Sequence, residues 1–287
     1  MKNKNLIVCK SNNVIEAGYR LSLNEQRVIL ACISKVNSMN ELLESDEFEL
    51  SAQDFALMYN ISQNRAYGEL KEVSKNLYHR SLTIFNPDPS RPKIEKIETR
   101  WISSIAYLPD DGKVILRFSK DILPFLGELK GQFTRYKLEH IGKMTSIYAI
   151  RLYELLAQWK NIGKREVELN WLKQQLQLDS SYERMNNLKA RVIEPAVKDI
   201  NAHSNFDVTW TQRKTGKKIS HLVFEFKEKK NSLFVKPQKK VHEEVANVST
   251  TNNVDYFADM RRKFGDLLPE NAIPPDMINH LKSQNRW

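Results

Sequence analysis

The strongest constraint on the fold is that one order of elements occurs twice along the 287 residues. Each half begins with a helical segment and continues with a short helix, a tight turn, a longer helix and paired β-like runs. Phe48-Glu-Leu-Ser51 and Val167-Glu-Leu-Asn170, which precede the short helices, lie at an offset of 119. A short helix, a turn and a longer helix followed by a hairpin is the order of a winged helix. The chain therefore predicts an α+β fold with two tandem winged-helix domains, although the two copies share little residue identity.

The first half shows the signals of a helix-turn-helix. Ser22-Leu-Asn-Glu25 is a capping-box pattern that predicts a helix start. A short helix from about Ser51 to Tyr59 and a longer one over residues 63–79 flank the turn Asn60-Ile61-Ser62. The longer helix is expected to bury Ala66, Leu70, Val73 and Leu77 and to expose Asn64, Gly68, Lys71 and Lys75. Strand-like runs follow at 81–85, 94–107 and 113–118, the last two around a turn at 108–112.

The second half repeats the plan. Residues 133–159 are interpreted as a short loop followed by an amphipathic helix over 145–160. The core face of that helix is Ala149, Leu152, Tyr153, Leu156 and Trp159. A short helix carries Trp171, Leu172 and Leu176, and a long helix is predicted from about Tyr182 to Ala202. Alternating apolar residues at 206–210 and 221–226 predict a hairpin around Thr215-Gly216.

Composition suggests where the domains end. We expect an N-terminal winged helix over residues 1–132, a C-terminal winged helix over 133–230, and a poorly structured linker and tail over 231–287. Residues 228–255 are polar and rich in Lys, Ser, Thr and Asn, which is typical of a linker. Residues 256–268 could form a short amphipathic helix.

Basic residues are concentrated in the middle of the chain. Lys and Arg outnumber Asp and Glu by 45 to 35, and the pI is near 9.4. Residues 134–230 hold 19 basic and 11 acidic side chains, whereas residues 1–133 hold 18 and 17 and residues 231–287 hold 8 and 7. A basic surplus favours a polyanionic partner. If nucleic acid binds, the middle segment should supply most of the attraction.

The long helix of the second half carries side chains that suit the major groove of DNA. On a helical wheel of residues 183–202, Met185, Leu188, Val192, Ala196 and Ile200 share one side, and Arg184, Asn187, Arg191 and Lys198 share the other. Arg can pair with guanine, Asn with adenine, and Lys with phosphate. Lys189 lies nearer the apolar side, where a snorkelling phosphate contact is the most we expect. The alternative to DNA recognition is that these residues form an ordinary solvent-exposed polar face, as on most surface helices.

Two further clusters are weaker signals. Gln212-Arg-Lys-Thr-Gly-Lys-Lys218 places Arg213, Lys214, Lys217 and Lys218 around a glycine turn. A basic hairpin tip can contact the backbone or the minor groove, although hairpin tips are usually polar in any case. In the first half, Asn64, Lys71 and Lys75 are diluted by Glu69 and Glu72, so this domain should contact the DNA backbone without specifying sequence.

Motifs for catalysis or cofactors are not found. No Gly-Lys pair has a glycine five positions earlier, so a P-loop is not expected. The six histidines lie more than four residues apart from one another, and Cys9 and Cys32 form no CxxC pair. We therefore expect no metal, no cofactor and no enzymatic activity. The apolar run at the start is too short for a signal peptide, and no 18-residue apolar stretch occurs, which predicts a cytoplasmic protein that does not span a membrane.

Several strings resemble the replication initiator (Rep) family of iteron-containing theta plasmids and plasmid-like circular DNAs. The most specific is residues 133–159, FTRYKLEHIGKMTSIYAIRLYELLAQW. The others are residues 15–30, Arg100-Trp101, residues 114–119 with Leu123-Pro124, residues 191–196 with Asp199-Ile-Asn201, and Gly216-Lys217. Together they cover about residues 8–227, and the tail lies outside the resemblance.

The resemblance implies two winged helices, of which the C-terminal one reads origin direct repeats (iterons) and the N-terminal one assists on DNA and forms a homodimer. Monomers would bind iterons and open the origin, dimers would repress the protein's own promoter, and host replication proteins would be recruited. The matching recognition-helix positions are Arg184, Asn187, Lys189 and Arg191, and the wing positions are Arg213, Lys214, Lys217 and Lys218. Relatives are denser in Arg where this chain has Glu183, Asn186 and Ala190, so its iteron sequence should be its own.

Three other classes of function stay open at the level of sequence. A winged-helix transcriptional repressor would bind DNA but would not maintain a plasmid. A protein–protein adaptor would be insensitive to DNA sequence and to Arg184→Ala or Arg191→Ala. A rolling-circle nickase would cleave supercoiled DNA with Mg²⁺ or Mn²⁺, but it would need clustered histidines.

Overall fold

The computed structural model describes residues 6–59, 61–88 and 90–229. The predicted tail over 231–287 and the turn residue Asn60 lie outside the described residues.

The first half follows the predicted order, with extra elements at its start and after its second helix. In chain order it contains β1 (Ile7–Ser11), α1 (Asn12–Ile15), α2 (Leu23–Ile33), β2 (Phe48–Ser51), α3 (Ala52–Tyr59), a 3-10 turn (Gln63–Arg65), α4 (Ala66–Leu77), β3 (Ser81–Phe85), β4 (Lys96–Arg100), β5 (Ile102–Leu108), β6 (Lys113–Phe118) and a 3-10 segment (Lys120–Phe125).

Local signals explain where the helices of this half begin and which side they bury. The predicted capping box is confirmed, because the Ser22 N–H donates to Glu25 Oε2 at 2.7 Å and the Glu25 N–H donates to Ser22 Oγ at 3.3 Å. In α4, Ala66, Leu70 and Leu77 are buried as expected, and Val73 is half-buried. Strands β2, β6 and β5 form an antiparallel sheet in that order, and the β5–β6 hairpin is the wing.

The second half begins with a strand that the sequence did not predict. Its elements are β7 (Phe133–Lys137), a 3-10 turn (Leu138–His140), α5 (Ile147–Ala157), β8 (Lys164–Glu168), α6 (Leu169–Gln175), a 3-10 turn (Ser180–Tyr182), α7 (Met185–Leu188), a π turn (Lys189–Ile193), α8 (Glu194–His203), β9 (Phe206–Thr215) and β10 (Lys218–Glu228). Strands β8, β10 and β9 form an antiparallel sheet in that order. As predicted, Phe206, Val208, Leu222 and Phe224 point into the core.

Three sequence predictions are corrected by the structure. Residues 133–137 are not a loop, because β7 pairs with β1 at the start of the chain. The long strand expected over 94–107 is broken at the fully buried Trp101, and its two parts join different sheets. Trp159 is not a core residue, since α5 ends at Ala157 and the Trp159 side chain is 42% exposed.

Helix α5 connects the two halves. Its buried apolar residues belong to one continuous core that includes side chains from both winged helices. Polar contacts cross the same junction: Arg165 Nη2 lies 2.9 Å from Glu16 Oε1, and Lys10 Nζ lies 2.6 Å from Glu154 Oε1. The predicted fold class, two tandem winged helices, is confirmed, whereas the boundary between residues 132 and 133 stays a prediction.

Candidate nucleic-acid interface

The turn of the second helix-turn-helix is held by its own polar side chains. Gln177, just after α6, adopts a left-handed conformation with φ of 50°, which reverses the chain where glycine is more usual. Asp179 then accepts hydrogen bonds from the hydroxyl and the N–H of Ser181. These hydrogen bonds hold the pKa of Asp179 below its ordinary value, so this cap is a carboxylate at neutral pH.

The recognition helix, residues 185–203, buries and exposes the sides that the sequence predicts. Leu188, Val192, Ala196 and Ile200 are at most 1% exposed. The exposed cations are Arg184, Lys189, Arg191 and Lys198, with Arg184 as the residue that precedes α7. Asn187 is half-buried, and its Nδ2 donates to the Ser181 carbonyl at 2.9 Å. Part of the Asn187 amide therefore stabilises the turn.

Lys189 lies between the helix and the wing. Its side chain is 46% exposed, with Nζ at 3.5 Å from Glu194 Oε1 and at 6.0 Å from the centroid of the Trp210 ring. Trp210 belongs to β9, so this contact joins the recognition helix to the base of the hairpin. Lys189 is thus an exposed side chain beside the apolar Trp210, and its contact with a phosphate stays a prediction.

A π turn interrupts the recognition helix, which the sequence prediction treated as regular. Pro195 has no N–H to donate to the carbonyl of Arg191, and its ring would collide with that carbonyl in an α-helix. Over Lys189–Ile193 the chain instead makes a wider turn, and the Glu194 N–H donates to the Lys189 carbonyl. π turns within α-helices occur frequently at functional sites. Here the π turn contains Arg191, the exposed arginine nearest the middle of the helix.

The wing is fixed to the recognition helix by Asn201. Asn201 Nδ2 donates to the Val208 carbonyl at 2.9 Å, and the Val208 N–H donates back to Asn201 Oδ1 at 2.7 Å. Asp199, two residues earlier, accepts from the N–H groups of Thr145 and Ser146 at the start of α5. The sequence did not predict these positioning roles. Thr145 and Ser146 are more than fifty residues away from Asp199, and Val208 lies beyond the end of the helix that carries Asn201.

The hairpin tip presents cations without matching carboxylates. Strands β9 and β10 meet at a two-residue turn in which Gly216 has φ of 61°, a conformation that favours glycine. Within the described part of the chain, no carboxylate pairs with Lys214, Lys217 or Lys218, and all three side chains are exposed. Arg213 differs, because it forms an ion pair with Glu166 and contacts His221 Nδ1 at 2.7 Å.

The corresponding residues of the first winged helix occupy a less basic surface. Asn64 lies in the 3-10 turn before α4, and Lys71 and Lys75 are exposed on α4, with Lys71 Nζ at 5.9 Å from the Tyr107 ring centroid. The tip of this wing contains Asp110 and Asp111. The structure therefore brings the predicted residues together in two sets, one on each winged helix, and the second set is the more basic.

The described residues contain neither a cluster of metal ligands nor a membrane-spanning helix. No group of three or more His, Cys, Asp or Glu side chains within residues 6–59, 61–88 and 90–229 could hold a metal ion. In the same ranges, no helix is both long enough and apolar enough to cross a membrane.

The two halves match the two domain models of one protein family. Residues 7–157 match the model described as "Initiator Replication protein, WH1", and residues 168–226 match "Initiator Rep protein, WH2". The chain therefore belongs to the family of plasmid-type replication initiator proteins, as its sequence resemblance indicates.

Individual relatives agree with this membership. A "Replication initiation protein" of Escherichia coli is 29% identical over 228 residues, which are 77% of this chain and 69% of that protein. The "PI protein" of Escherichia coli is 26% identical over 254 residues, 78% of this chain and 83% of that protein. Among solved structures, the Pi initiator protein in complex with iteron DNA superimposes with a TM-score of 0.67 at 25% identity, covering 79% of this chain and 99% of that one.

Proposed function

We propose that the protein is a sequence-specific DNA-binding replication initiator whose second winged helix reads the direct repeats of an origin. The observation that carries the proposal is an exposed Arg/Lys face on the recognition helix together with a hairpin tip whose three lysines have no carboxylate partner in the part of the chain that the structure describes. A helix of this kind fits the major groove, and a cationic hairpin tip fits the adjacent phosphates or minor groove. Membership of the initiator family and the fold shared with an iteron-bound relative support this reading.

The proposed DNA-binding residues fall into two groups, those that contact base edges and those that contact phosphates. Arg184, Arg191 and the free part of the Asn187 amide are proposed to contact base edges, because Arg and Asn can make paired hydrogen bonds that distinguish bases. The remaining cations are proposed to contact phosphates: Lys189, Lys198, Arg213, Lys214, Lys217 and Lys218. The pairing of Arg213 with Glu166 directs its guanidinium along the sheet, so its contribution should be smaller than those of the three lysines.

The first winged helix, with Asn64, Lys71 and Lys75, is proposed to contact the DNA backbone and to form the dimer. In this proposal monomers bind origin repeats and promote opening, dimers repress the promoter of the gene, and host replication proteins are then recruited. Two winged helices on successive major grooves would cover roughly 20 bp of one DNA face.

The proposal is tested by fluorescence anisotropy of the full chain on a direct repeat from DNA flanking the gene, against a scrambled duplex, at two salt concentrations. We expect a preference for the repeat of about a hundredfold or more. Equal and strongly salt-dependent binding to both duplexes would contradict sequence-specific recognition, and failure to bind either would favour a protein–protein adaptor.

A plasmid-maintenance assay then separates an initiator from a repressor. The gene, placed in trans to its flanking repeats, should support replication of a plasmid that lacks another origin. A repressor would bind the same repeats and silence the promoter, but the plasmid would be lost.

A further inference from the structure

A cavity of about 310 Å³ lies where the two winged helices meet. Its size is within the range of cavities that hold small ligands, roughly 300–1,000 Å³. It is distinct from the recognition helix and the wing, and its lining residues are Tyr19, Arg20, Leu21, Ser22, Arg80, Ile147, Tyr148, Arg151 and Leu176.

The most unusual member of the lining is Arg151 of α5, a buried cation without a counter-ion. Its side chain is 2% exposed, and Nη2 donates to the Ala17 carbonyl at 2.7 Å and to the Gln175 carbonyl at 3.2 Å. Among the described residues, Nε and Nη1 have no hydrogen-bond partner, and no carboxylate forms an ion pair with the guanidinium. The guanidinium also lies over the Tyr19 ring, with Cζ 3.6 Å from the ring centroid, and this contact compensates part of the cost of burying the charge. The interior beside the cavity therefore carries a positive charge without a carboxylate partner among the described residues, which favours an anion nearby.

Two more arginines line the same cavity. Arg20 is 62% exposed and lies 3.7 Å from Asp179, and Arg80 is 45% exposed with its Nε 3.0 Å from Glu25. Asp179 and Glu25 partly offset the charges of Arg20 and Arg80 but lie outside the lining, which contains three arginines and no acidic residue. Tyr19, also in the lining, holds the Arg151 guanidinium in place through its ring.

A second cavity provides an internal comparison. It has a volume of about 510 Å³ and is lined by Glu16, several Asn and Gln side chains and two tryptophans, with neither Lys nor Arg. The cationic lining is therefore a property of the smaller cavity and not of the junction as a whole.

We propose that the cavity around Arg20, Arg80 and Arg151 binds a phosphate group. Arginine presents planar, paired N–H donors that match phosphate oxygens, and several arginines around one cavity are a recurrent arrangement for phosphate. The phosphate belongs either to the DNA backbone or to a free phosphorylated molecule, and the same chemistry recognises both. The proposal does not depend on repeat recognition, because its ligand-binding residues are separate from the recognition helix.

The first test is calorimetric titration of the full chain with inorganic phosphate in the absence of DNA, at constant ionic strength. Because Arg151 also holds Ala17 and Gln175 in place, the substitutions are made at the two exposed arginines. Wild type should bind one phosphate saturably at millimolar concentrations, and Arg20→Gln and Arg80→Lys should each bind at least about tenfold more weakly. Lysine is chosen at position 80 because it keeps a positive charge beside the buried Glu25 but loses the planar, paired N–H donors of arginine. Arg135→Gln, an exposed arginine on β7 outside the lining, is the matched control and should bind like wild type.

Arg191→Ala separates this proposal from the proposed function, since it should lose the preference for the repeat and keep phosphate binding. Repeating the titration with the protein saturated by the direct-repeat duplex identifies the source of the phosphate. A loss of affinity of about tenfold would identify the DNA backbone as the occupant, and an unchanged affinity would identify a free phosphorylated ligand. Either result supports the site, whereas no saturable binding by wild type, or equal binding by the Arg20 and Arg80 variants, overturns it.

Discussion

The two winged helices have the same order of elements but different surface charges. In the first domain, helix α4 carries two lysines and two glutamates. The hairpin tip of that domain carries Asp110, Asp111 and Lys113, and Lys113 Nζ lies 3.0 Å from Glu49 Oε1. The second hairpin tip, residues 212–218, carries four cations and no carboxylate. In the first domain, acidic side chains on the helix and the wing therefore offset the basic ones, and little net positive charge remains there. In the second domain, Lys214, Lys217 and Lys218 are exposed and have no ion-pair partner within residues 6–59, 61–88 and 90–229, so they can bind a polyanion.

The comparison has a direct consequence for mutants. A charged residue of the first domain should affect stability where it is buried and should affect DNA specificity little, whereas the exposed cations of the second domain should affect DNA binding and hardly affect stability. Four predictions test this division, in order of decreasing effect.

The largest effect is expected from Lys10→Met in β1. Lys10 and Glu154 are both fully buried and form an ion pair at 2.6 Å, so removing the ammonium leaves a carboxylate in the core whose remaining side-chain donor among the described residues is the Tyr136 hydroxyl. Loss of one partner of a buried pair costs about 3–5 kcal/mol in the free energy of unfolding. Urea denaturation measures this loss, and the ratio of repeat to scrambled-DNA affinity should not change in the folded protein.

The control for that variant is Lys130→Met. This side chain is 87% exposed and 4.0 Å from Glu128, so the substitution should change the free energy of unfolding by less than about 0.5 kcal/mol. Similar destabilisation by both substitutions would mean that the buried Lys10–Glu154 pair contributes no more to the free energy of unfolding than an exposed pair does.

The second effect is on recognition. Arg191→Ala should weaken binding to the direct repeat by about 1–3 kcal/mol and reduce the preference over scrambled DNA, because a paired contact to a base edge is lost. Lys75→Ala on α4 is the matched variant in the first domain and should weaken both duplexes slightly and equally. Anisotropy titrations measure both. If Arg191→Ala weakened binding to the repeat and to the scrambled duplex equally, the recognition helix of the second domain would not be the element that reads sequence.

The third effect is on salt dependence. Lys217→Ala at the second hairpin tip should weaken binding to all DNA similarly and lower the slope of log affinity against log salt concentration by about one. Lys113→Ala at the first tip should leave the slope unchanged, since Lys113 already pairs with Glu49. A reduced slope for both variants would show that the two wings contact phosphates alike.

The smallest effect concerns the junction that both domains share. Burial lowers the pKa of His140 below its ordinary value of 6.5, and its Nδ1 lies 3.1 Å from the Tyr153 hydroxyl on α5. The folded state thus favours neutral His140, so the unfolded chain binds protons first and stability should fall as the pH drops below 6.5. His140→Gln should remove this part of the loss, as measured by denaturation at several pH values. An unchanged pH profile would show that His140 does not titrate in the transition.

Much of the fold could be predicted because its signals are local. The capping box at Ser22 and Glu25, the apolar side of α4 and the alternation around Phe206 and Leu222 each depend on residues a few positions apart. Burial follows directly from such periodicity. The exposed cations of the recognition helix followed from the same reasoning, since the residues opposite a buried side must face outward.

The rest depends on long-range contacts. The pairing of β7 with β1 joins residues more than a hundred positions apart, so a five-residue strand at 133–137 could not be distinguished from a loop. The π turn was also missed. Pro195 is visible in the sequence, but the helical wheel assumed constant rotation per residue.

The sequence by itself determined the repeated winged-helix plan, the concentration of positive charge in the second half and membership of the initiator family. Only the tertiary structure showed which charges are already neutralised: Arg213 by Glu166, Lys113 by Glu49 and Lys10 by Glu154. It also showed that Arg151, a charged residue of the amphipathic helix α5, is buried where the two domains meet. The physical reason is that charge is counted along the chain, whereas Coulomb interactions and desolvation depend on distances and burial that only folding sets.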